Sequence, residues 1–401
     1  VTEVSPRIRG RLTPRDVRAD AELRITDLLL CALVPLRALD GPGGIPLNEV
    51  ACAVLLGLAL LRPRPHGVRL PPVVVVLTIA LVGVMTYSGY ANDVDWYQRV
   101  AHLVLWVGLV WVLAMGKVSL RSAALGFGAG LVAAAASSFF DLTSDGYEGR
   151  LTGWFGDPNA AAYFLAVLGA LAVGWAGGRR LGGVLLVVLL VALVLTFSRT
   201  GLLAATSALL WASAGRRLGV LGGAAVGGLT LWIVHSIPPG LRLYGPFADR
   251  EGSDQLRERI IAQEHEVIAQ APWYGNGPGQ ATVLVDGDRF FFHNSYLAVR
   301  QEGGWIALVL LLGLIAYAFL RLSRASRRGD PHAIAGQAAL IALLVSAVTL
   351  GEVLLELPAA FAIGFALRTV ASLPDRRQTR LPAPWRGHAA HRPGASGDAG
   401  G

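Results

Sequence analysis

The run VLLVVLLVALVLTF (Val184–Phe197) carries no charge along its whole length, and Ser198-Arg-Thr-Gly201 follows it at once. A surface helix of a soluble protein would show a polar face; a run that is apolar on every side belongs in a core or in lipid. Val73–Met85, Leu103–Met115 and Ile306–Leu320 have the same character. The whole chain follows these runs, with 54% of its 401 residues hydrophobic and 15% charged, where soluble domains carry about 25% charged residues. Its mean hydropathy is +0.53. A spanning helix needs roughly 20 mostly apolar residues. Extended at their ends by Gly, Ser, Trp or Arg, the runs predict an all-α polytopic membrane protein with about twelve crossings. The expected spans are 25–40, 45–61, 70–88, 99–115, 120–139, 158–176, 181–197, 200–214, 218–236, 296–320, 333–350 and 353–372.

The net charge of +8 is mostly arginine. In a soluble chain that excess would suggest nucleic acid. Here the arginines lie between apolar runs, which points to membrane topology and away from nucleic acid. Cytoplasmic loops are the ones rich in Lys and Arg. With the N-terminus inside, those loops hold Arg7 to Arg24, then Arg62, Arg64 and Arg69, then Lys117 and Arg121, then Arg179 and Arg180, then Arg216 and Arg217, then Arg321 to Arg328, and finally Arg376, Arg377 and Arg380. The opposite short loops are poor in such residues, so both termini are expected in the cytoplasm. No cleavable leader is expected, because no small-residue cleavage site follows the first apolar run. Cys31 and Cys52 lie inside apolar runs and read as packing residues.

The organisation expected is a basic tail (1–24), a first bundle of spans (25–235), an extracytoplasmic loop (236–295), a second bundle (296–373) and a disordered tail (374–401). In the loop, Pro and Gly make Ile237–Gly252 irregular. Ser253 or Asp254 is expected to cap a helix running to about Ala271 and ended by Pro272. Arg259, Gln263, Glu266 and Gln270 share a polar face of that helix, and Ile260, Ile261, Val267 and Ile268 lie on the other side. Stepping by helix turns groups Arg257, Ile261, Glu264 and Ile268. Arg257 then belongs beside the face that docks on the membrane body, and Arg259 faces solvent. Gly275-Asn-Gly-Pro-Gly279 reads as a tight loop. Asp286-Gly287 reads as the turn of a hairpin before Phe290–Phe292.

Three polar segments fall on the expected outer face: Arg150–Asn159, Thr196–Gly201, and the stretch from Arg257 through Phe292–Leu297 to Arg300–Gly304. In this order they resemble the O-antigen ligase and O-antigen polymerase superfamily of bacterial membrane glycosyltransferases. GWFGDPNAAAYFLA (153–166) is similar to that family's Gly-x-Phe-Gly-Asn-Pro-Asn segment, with Asp157 where Asn is commoner. LTFSRTG (195–201) resembles its Ser-Arg-Gly segment, with Thr200 in place of the small residue. APWYGNGPGQ (271–280) resembles its His-Pro-x-x-Gly-x-Gly-Pro-Gly turn, with Ala271 replacing His. FHNSYL (292–297) is similar to its His-Asn-x-x-Leu segment, and Ile261 stands where a tryptophan is often found. The resemblance covers residues 150–320. It implies a GT-C-like helical fold in the bacterial inner membrane. It implies transfer of a glycan from undecaprenyl diphosphate to a hydroxyl of a sugar, lipid or protein acceptor at the outer face, among membrane lipid. It implies no nucleotide sugar, no metal and no other cofactor.

The residues can also be weighed as chemistry. A departing diphosphate gathers negative charge and needs cations at that point, and arginine grips phosphate oxygens through two N–H groups at once. Arg199 stands at a membrane edge, where a charge is costly unless paired or facing water; the competing expectation is snorkelling or capping. Arg257 is the second candidate, with a surface ion pair to Glu264 or Glu258 as its alternative. Histidine is largely neutral at pH 7 and can take a proton from an acceptor hydroxyl. His293 is therefore the candidate base, against a purely structural role among its aromatic neighbours. The family pattern favours the functional reading at Arg199 and His293. Arg150, Asn159, Asn294 and Glu302 are possible supports. Asp157 reads as a cap and Pro158 as the first residue of a helix. Glu352 and Glu356 face either the cavity or the outer interface, and Trp96, Tyr97 and Trp154 read as interfacial anchors.

The expectation is an inverting transfer in which Arg199 and Arg257 hold the donor diphosphate and His293 activates the acceptor. The rivals are a flippase or polysaccharide transporter for lipid-linked glycan, and a structural membrane partner. A transporter should carry charges deep in its spans along a pathway. The candidates here gather at one face.

Overall fold

The computed structural model describes residues 22–63, 65, 68–140, 147, 149–236 and 251–372. The apolar runs become helices: α1 (Ile25–Leu33), α2 (Leu47–Leu61), α3 (Pro72–Ala91), α4 (Tyr97–Ala114), α5 (Leu120–Ser137), α6 (Pro158–Trp175), α7 (Arg179–Leu195), α8 (Arg199–Leu210) and α9 (Val220–Ser236). After α10 (Glu251–Gln270) and a hairpin of β1 (Thr282–Val285) and β2 (Asp288–Phe291) come α11 (Ser295–Arg327), α12 (Pro331–Ser346) and α13 (Leu357–Ser372). Helices α3, α4, α5, α6 and α11 are long and apolar enough to cross a membrane, and α2, α12 and α13 are apolar but shorter. The chain is an all-α, multi-pass membrane protein.

Polar side chains set where the helices begin. Ser119, Asp157, Ser198, Asn294 and Asp330 each accept a backbone N–H from the first turn they precede, which satisfies donors that a helix start leaves open. Several expected spans are shorter than predicted, α1 and α13 among them. α1 stops at Leu33, two residues before Pro35, whose missing N–H and bulky ring end the ladder. α13 starts at Leu357 because Val353–Leu355 form a 3-10 turn instead. The predicted tails, apart from residues 22–24, lie outside the described residues, as does 237–250 of the loop.

The centre of the bundle is α13, flanked by α4 and α12, with α6 packed between α5 and α12. α13 is buried on all sides and apolar up to Leu367: Ala359, Phe361, Ile363 and Phe365 are fully enclosed, and Arg368 next to it is buried with them. Phe361 meets Phe127 edge-on at 4.8 Å, and Phe365 meets Trp175 at 5.0 Å. Cys31 and Cys52 are free and buried within this core.

The loops sort their charges by end. At one end, Arg24 and Arg62 both donate to the Lys117 carbonyl, at 3.0 Å each, and Arg62 pairs with buried Asp27 at 2.6 Å. Arg216 donates to the Ser326 carbonyl at 2.9 Å. Basic residues from separate predicted cytoplasmic segments therefore meet in space. The starts of α6, α8 and α11 lie at the opposite end.

That end is roofed by α10 and the hairpin. Ile260 and Ile268 of α10 pack with Val283, Val285, Phe292 and Ala298 in a second, smaller core. α10 begins at Glu251, so Ser253 and Asp254 fall inside its first turn rather than capping it. The hairpin turn forms where expected, with positive φ at Asp286 (55°) and Gly287 (91°), the conformation of a tight two-residue hairpin connection.

Helix α11 is broken at Gly304, where φ is 71° and ψ is −171°. A Cβ there would lie 1.9 Å from the Trp273 carbonyl oxygen, so only glycine fits. The carbonyls of Gln301 and Glu302 next to the break accept N–H bonds from Asn276 (2.6 Å) and Gly277 (3.1 Å). The Gly-Asn-Gly-Pro-Gly loop is thus the cap of a broken helix.

Candidate active site at one end of the bundle

Asp157 caps α6 through the N–H groups of Asn159 (2.7 Å) and Ala160 (2.9 Å). Ser198 caps α8 and donates its hydroxyl to the Asn159 side chain at 2.9 Å. One hydrogen bond therefore ties two of the three polar segments together and fixes Arg199 as the first residue of α8. Asn159 acts here as the tie.

Arg150 is held beside them. Its Nε donates to the Thr196 carbonyl at 3.0 Å, and Leu151 N–H donates to the Leu195 carbonyl at 2.8 Å. Its guanidinium lies 5.6 Å from the centre of the Tyr147 ring. Burial pulls the Arg150 pKa down; Asp157 and Tyr147 oppose this, and Arg257 and Arg199 add to it. Its Nη2 is buried without a hydrogen-bond partner among the described residues. Three arginines that the sequence spreads over more than 100 positions thus share one electrostatic neighbourhood, with Asp157 and Tyr147 among them.

α10 supplies Arg257 and Glu264 from one side. Arg257 is half-buried and contributes positive charge at both Arg150 and His293. Arg259 points away: its side chain is 54% exposed and pairs with Asp286. The preference for Arg257 over Arg259 agrees with this placement. Ile261, grouped with Arg257 by helix turns, is 38% exposed, and Ile260 takes the buried position instead.

His293 closes the group. Burial and then Arg257 lower its pKa to about 4, against the Phe291 carbonyl and Asp157, which favour the charged ring. It is neutral at pH 7 and competent to accept a proton. Its backbone N–H donates to Glu264 at 2.5 Å. The linker between α12 and α13 passes against the same backbone, because a Cβ on Gly351 would lie 1.7 Å from the Phe292 carbonyl oxygen.

Two candidate supports stand elsewhere. The Asn294 side chain is used as the cap of α11. Glu302 belongs to a separate ionic cluster, where Arg99 pairs with Glu302 at 3.2 Å and with Glu352 at 3.1 Å. Arg37–Glu356 at 3.7 Å and His102–Glu49 at 3.4 Å complete that cluster. Among the described residues, no group of three His, Cys, Asp or Glu side chains is placed to hold a metal ion.

Sequence reasoning passed over Tyr147 and undervalued Glu264. Tyr147 lies in an irregular stretch without periodicity. Glu264 was legible as two turns from Arg257 on the same side, but that spacing alone does not separate a surface ion pair from a buried partner of His293.

Residues 184–312 match the family model described as O-antigen ligase. The matched stretch contains Arg199, Arg257, Glu264 and His293 and leaves Arg150 and Asn159 outside it. The likeness read from the motifs is borne out over this stretch. No curated protein matches the chain.

Proposed function

We propose that this membrane protein transfers or polymerises a glycan from an undecaprenyl-diphosphate donor onto an acceptor hydroxyl at the outer face of the bacterial inner membrane. The premise is the O-antigen ligase domain in an all-α, multi-pass chain, which supports a glycosyltransferase of the ligase or polymerase type. The observation that carries the finer reading is the gathering of Arg150, Arg199, Arg257 and a neutral His293 at one end of the bundle.

In this reading the arginines bind the diphosphate and stabilise the charge it gains on leaving. His293 removes the acceptor proton while the freed oxygen attacks the anomeric carbon from the opposite side, which inverts that centre. Diphosphate bound nearby offsets the field of Arg257 and raises the proton affinity of His293 from its resting value. An apolar cavity of about 690 Å³ between α6, α7, α8 and α12 supports a lipid-borne donor. Leu165 and Leu193 line its edge on the side of Asn159 and Arg199, and from there it runs between the helices toward Arg179 and His332 at their other end. The meeting of Arg24, Arg62 and Lys117 at the other end supports a cytoplasmic side for the segments that carry them.

The test is purified protein in detergent with a lipid-linked oligosaccharide, followed by the release of undecaprenyl diphosphate. Turnover that is lost in Arg199→Ala and His293→Ala supports the enzyme. Binding without turnover overturns it in favour of a transporter.

A further inference from the structure

We infer that Glu264 is the positioning partner of His293, a buried carboxylate that fixes the base and balances the positive charge it acquires during transfer. This inference rests on the reading of His293 as the base.

Glu264 is fully enclosed, at 0% exposure. Its Oε1 accepts the His293 backbone N–H at 2.5 Å and lies 3.9 Å from the ring Nδ1. Its Oε2 and His293 Nδ1 are both buried with no hydrogen-bond partner among the described residues. A carboxylate left half-satisfied in an enclosed site costs stability. A structural tether needs one acceptor oxygen, which a glutamine supplies without charge. The charge itself has a use only when His293 becomes an imidazolium.

The acceptor O–H bond breaks and its proton passes to His293 Nε2. The oxygen forms its bond to the anomeric carbon, and the carbon–oxygen bond to the diphosphate breaks with its electron pair on the diphosphate. The ring, now protonated on both nitrogens, turns its Nδ1–H the short distance to Glu264. The extra proton then leaves to the diphosphate or to water. Arg257 of α10 and Asp157 at the start of α6 also act on His293, together with the Phe291 carbonyl. For Glu264, burial raises the pKa to about 7 and the His293 N–H opposes it. Arg257 and Glu264 lie two turns apart on the same helix, so one rigid element holds both a donor contact and the base's partner.

The test uses full-length protein and a lipid-linked oligosaccharide, with kcat and KM measured from pH 6 to 8. Wild-type kcat is expected to fall about tenfold from pH 8 to pH 6 as Glu264 protonates around 7. Glu264→Gln keeps the oxygen that accepts the N–H and loses the charge. Its kcat should drop about 100-fold, with donor KM within about twofold and no acid limb in this range. Glu264→Asp should recover part of the rate, and its limb should move. A Glu264→Gln enzyme with wild-type kcat and an intact limb overturns the inference. Should the Gln variant fail to fold, an Asp variant with an unmoved limb overturns it. Loss of activity in His293→Ala beside an unimpaired Glu264→Gln sinks this inference alone; full activity in His293→Ala sinks the base reading as well.

Discussion

Arg99 and Arg150 are both largely buried arginines near the same end of the bundle, yet they stand in opposite surroundings. Arg99 has Glu302 and Glu352 within ion-pair distance, and its neighbours Arg37 and His102 have Glu356 and Glu49. Each arginine of that cluster meets a carboxylate. Around Arg150 the influences are mixed: Asp157 and Tyr147 favour its charge, and Arg257 and Arg199 oppose it. The first cluster is a closed ionic girdle that joins α4 to α11 and to the α12–α13 linker. The second gathers Arg199 and Arg257 around Arg150 and Asp157, the grouping proposed above to hold the donor diphosphate.

The contrast can be broken from either side. The largest effect is expected on the girdle. Arg99→Ala strands Glu302, which is 1% exposed and already has one oxygen without a hydrogen-bond partner among the described residues. Breaking a buried pair from one side costs ~3–5 kcal/mol. That loss should read as a lower melting temperature and yield, with kcat of the folded fraction near wild type. Arg199→Ala and Arg257→Ala should do the reverse: kcat falls by about 10²–10³ while the melting temperature holds. Lysine at either position should restore part of the rate, since it returns the charge without the two-pronged grip.

Acidification sharpens the contrast by adding a further positive charge to the arginine side. His293 titrates at about 4 in the fold and at about 6.5 when unfolded. Its neutral form therefore contributes stability that is complete above pH 6.5 and lost as pH falls toward 4, on the order of 2 kcal/mol. His293→Phe should lack that acid-side loss in thermal unfolding curves. The smallest effects belong to exposed pairs. Arg37→Ala, facing Glu356 at 3.7 Å, and Arg259→Ala, facing Asp286, involve side chains that are 44% and 54% exposed. Each should shift stability by no more than about 1 kcal/mol, and added salt should erase the difference.

Much of the helical scaffold was readable because lipid demands long apolar runs and leaves few alternatives for the backbone. The cap at Asp157 was readable because a helix start must satisfy its N–H groups locally; the same role of Ser198 was not read from the sequence. Nor was the girdle. Glu302, Glu352 and Arg99 look like isolated polar residues in the sequence, and their pairing depends on how α4, α11 and the linker before α13 are arranged. The closeness of Arg150 to Arg257 and Arg199 was not legible either, because no periodicity links the three. α1 was drawn too long because hydropathy continues past Leu33 while the backbone at Pro35 does not.

The cap on the broken helix has a consequence for the order of assembly. Ser88 of α3 donates its hydroxyl to the Glu302 carbonyl at 2.7 Å, and the Asn92 side chain donates to the Gly275 carbonyl at 3.0 Å. These bonds close loops of 214 and 183 residues. During synthesis α3 is in the bilayer long before its partners leave the ribosome, so those polar groups must wait in water or bind elsewhere. The roof that carries Arg257, Glu264 and His293 can seat only after the first half of α11 has emerged. The proposed site is therefore completed late in biogenesis, and a nascent chain halted before residue 302 lacks its finished form.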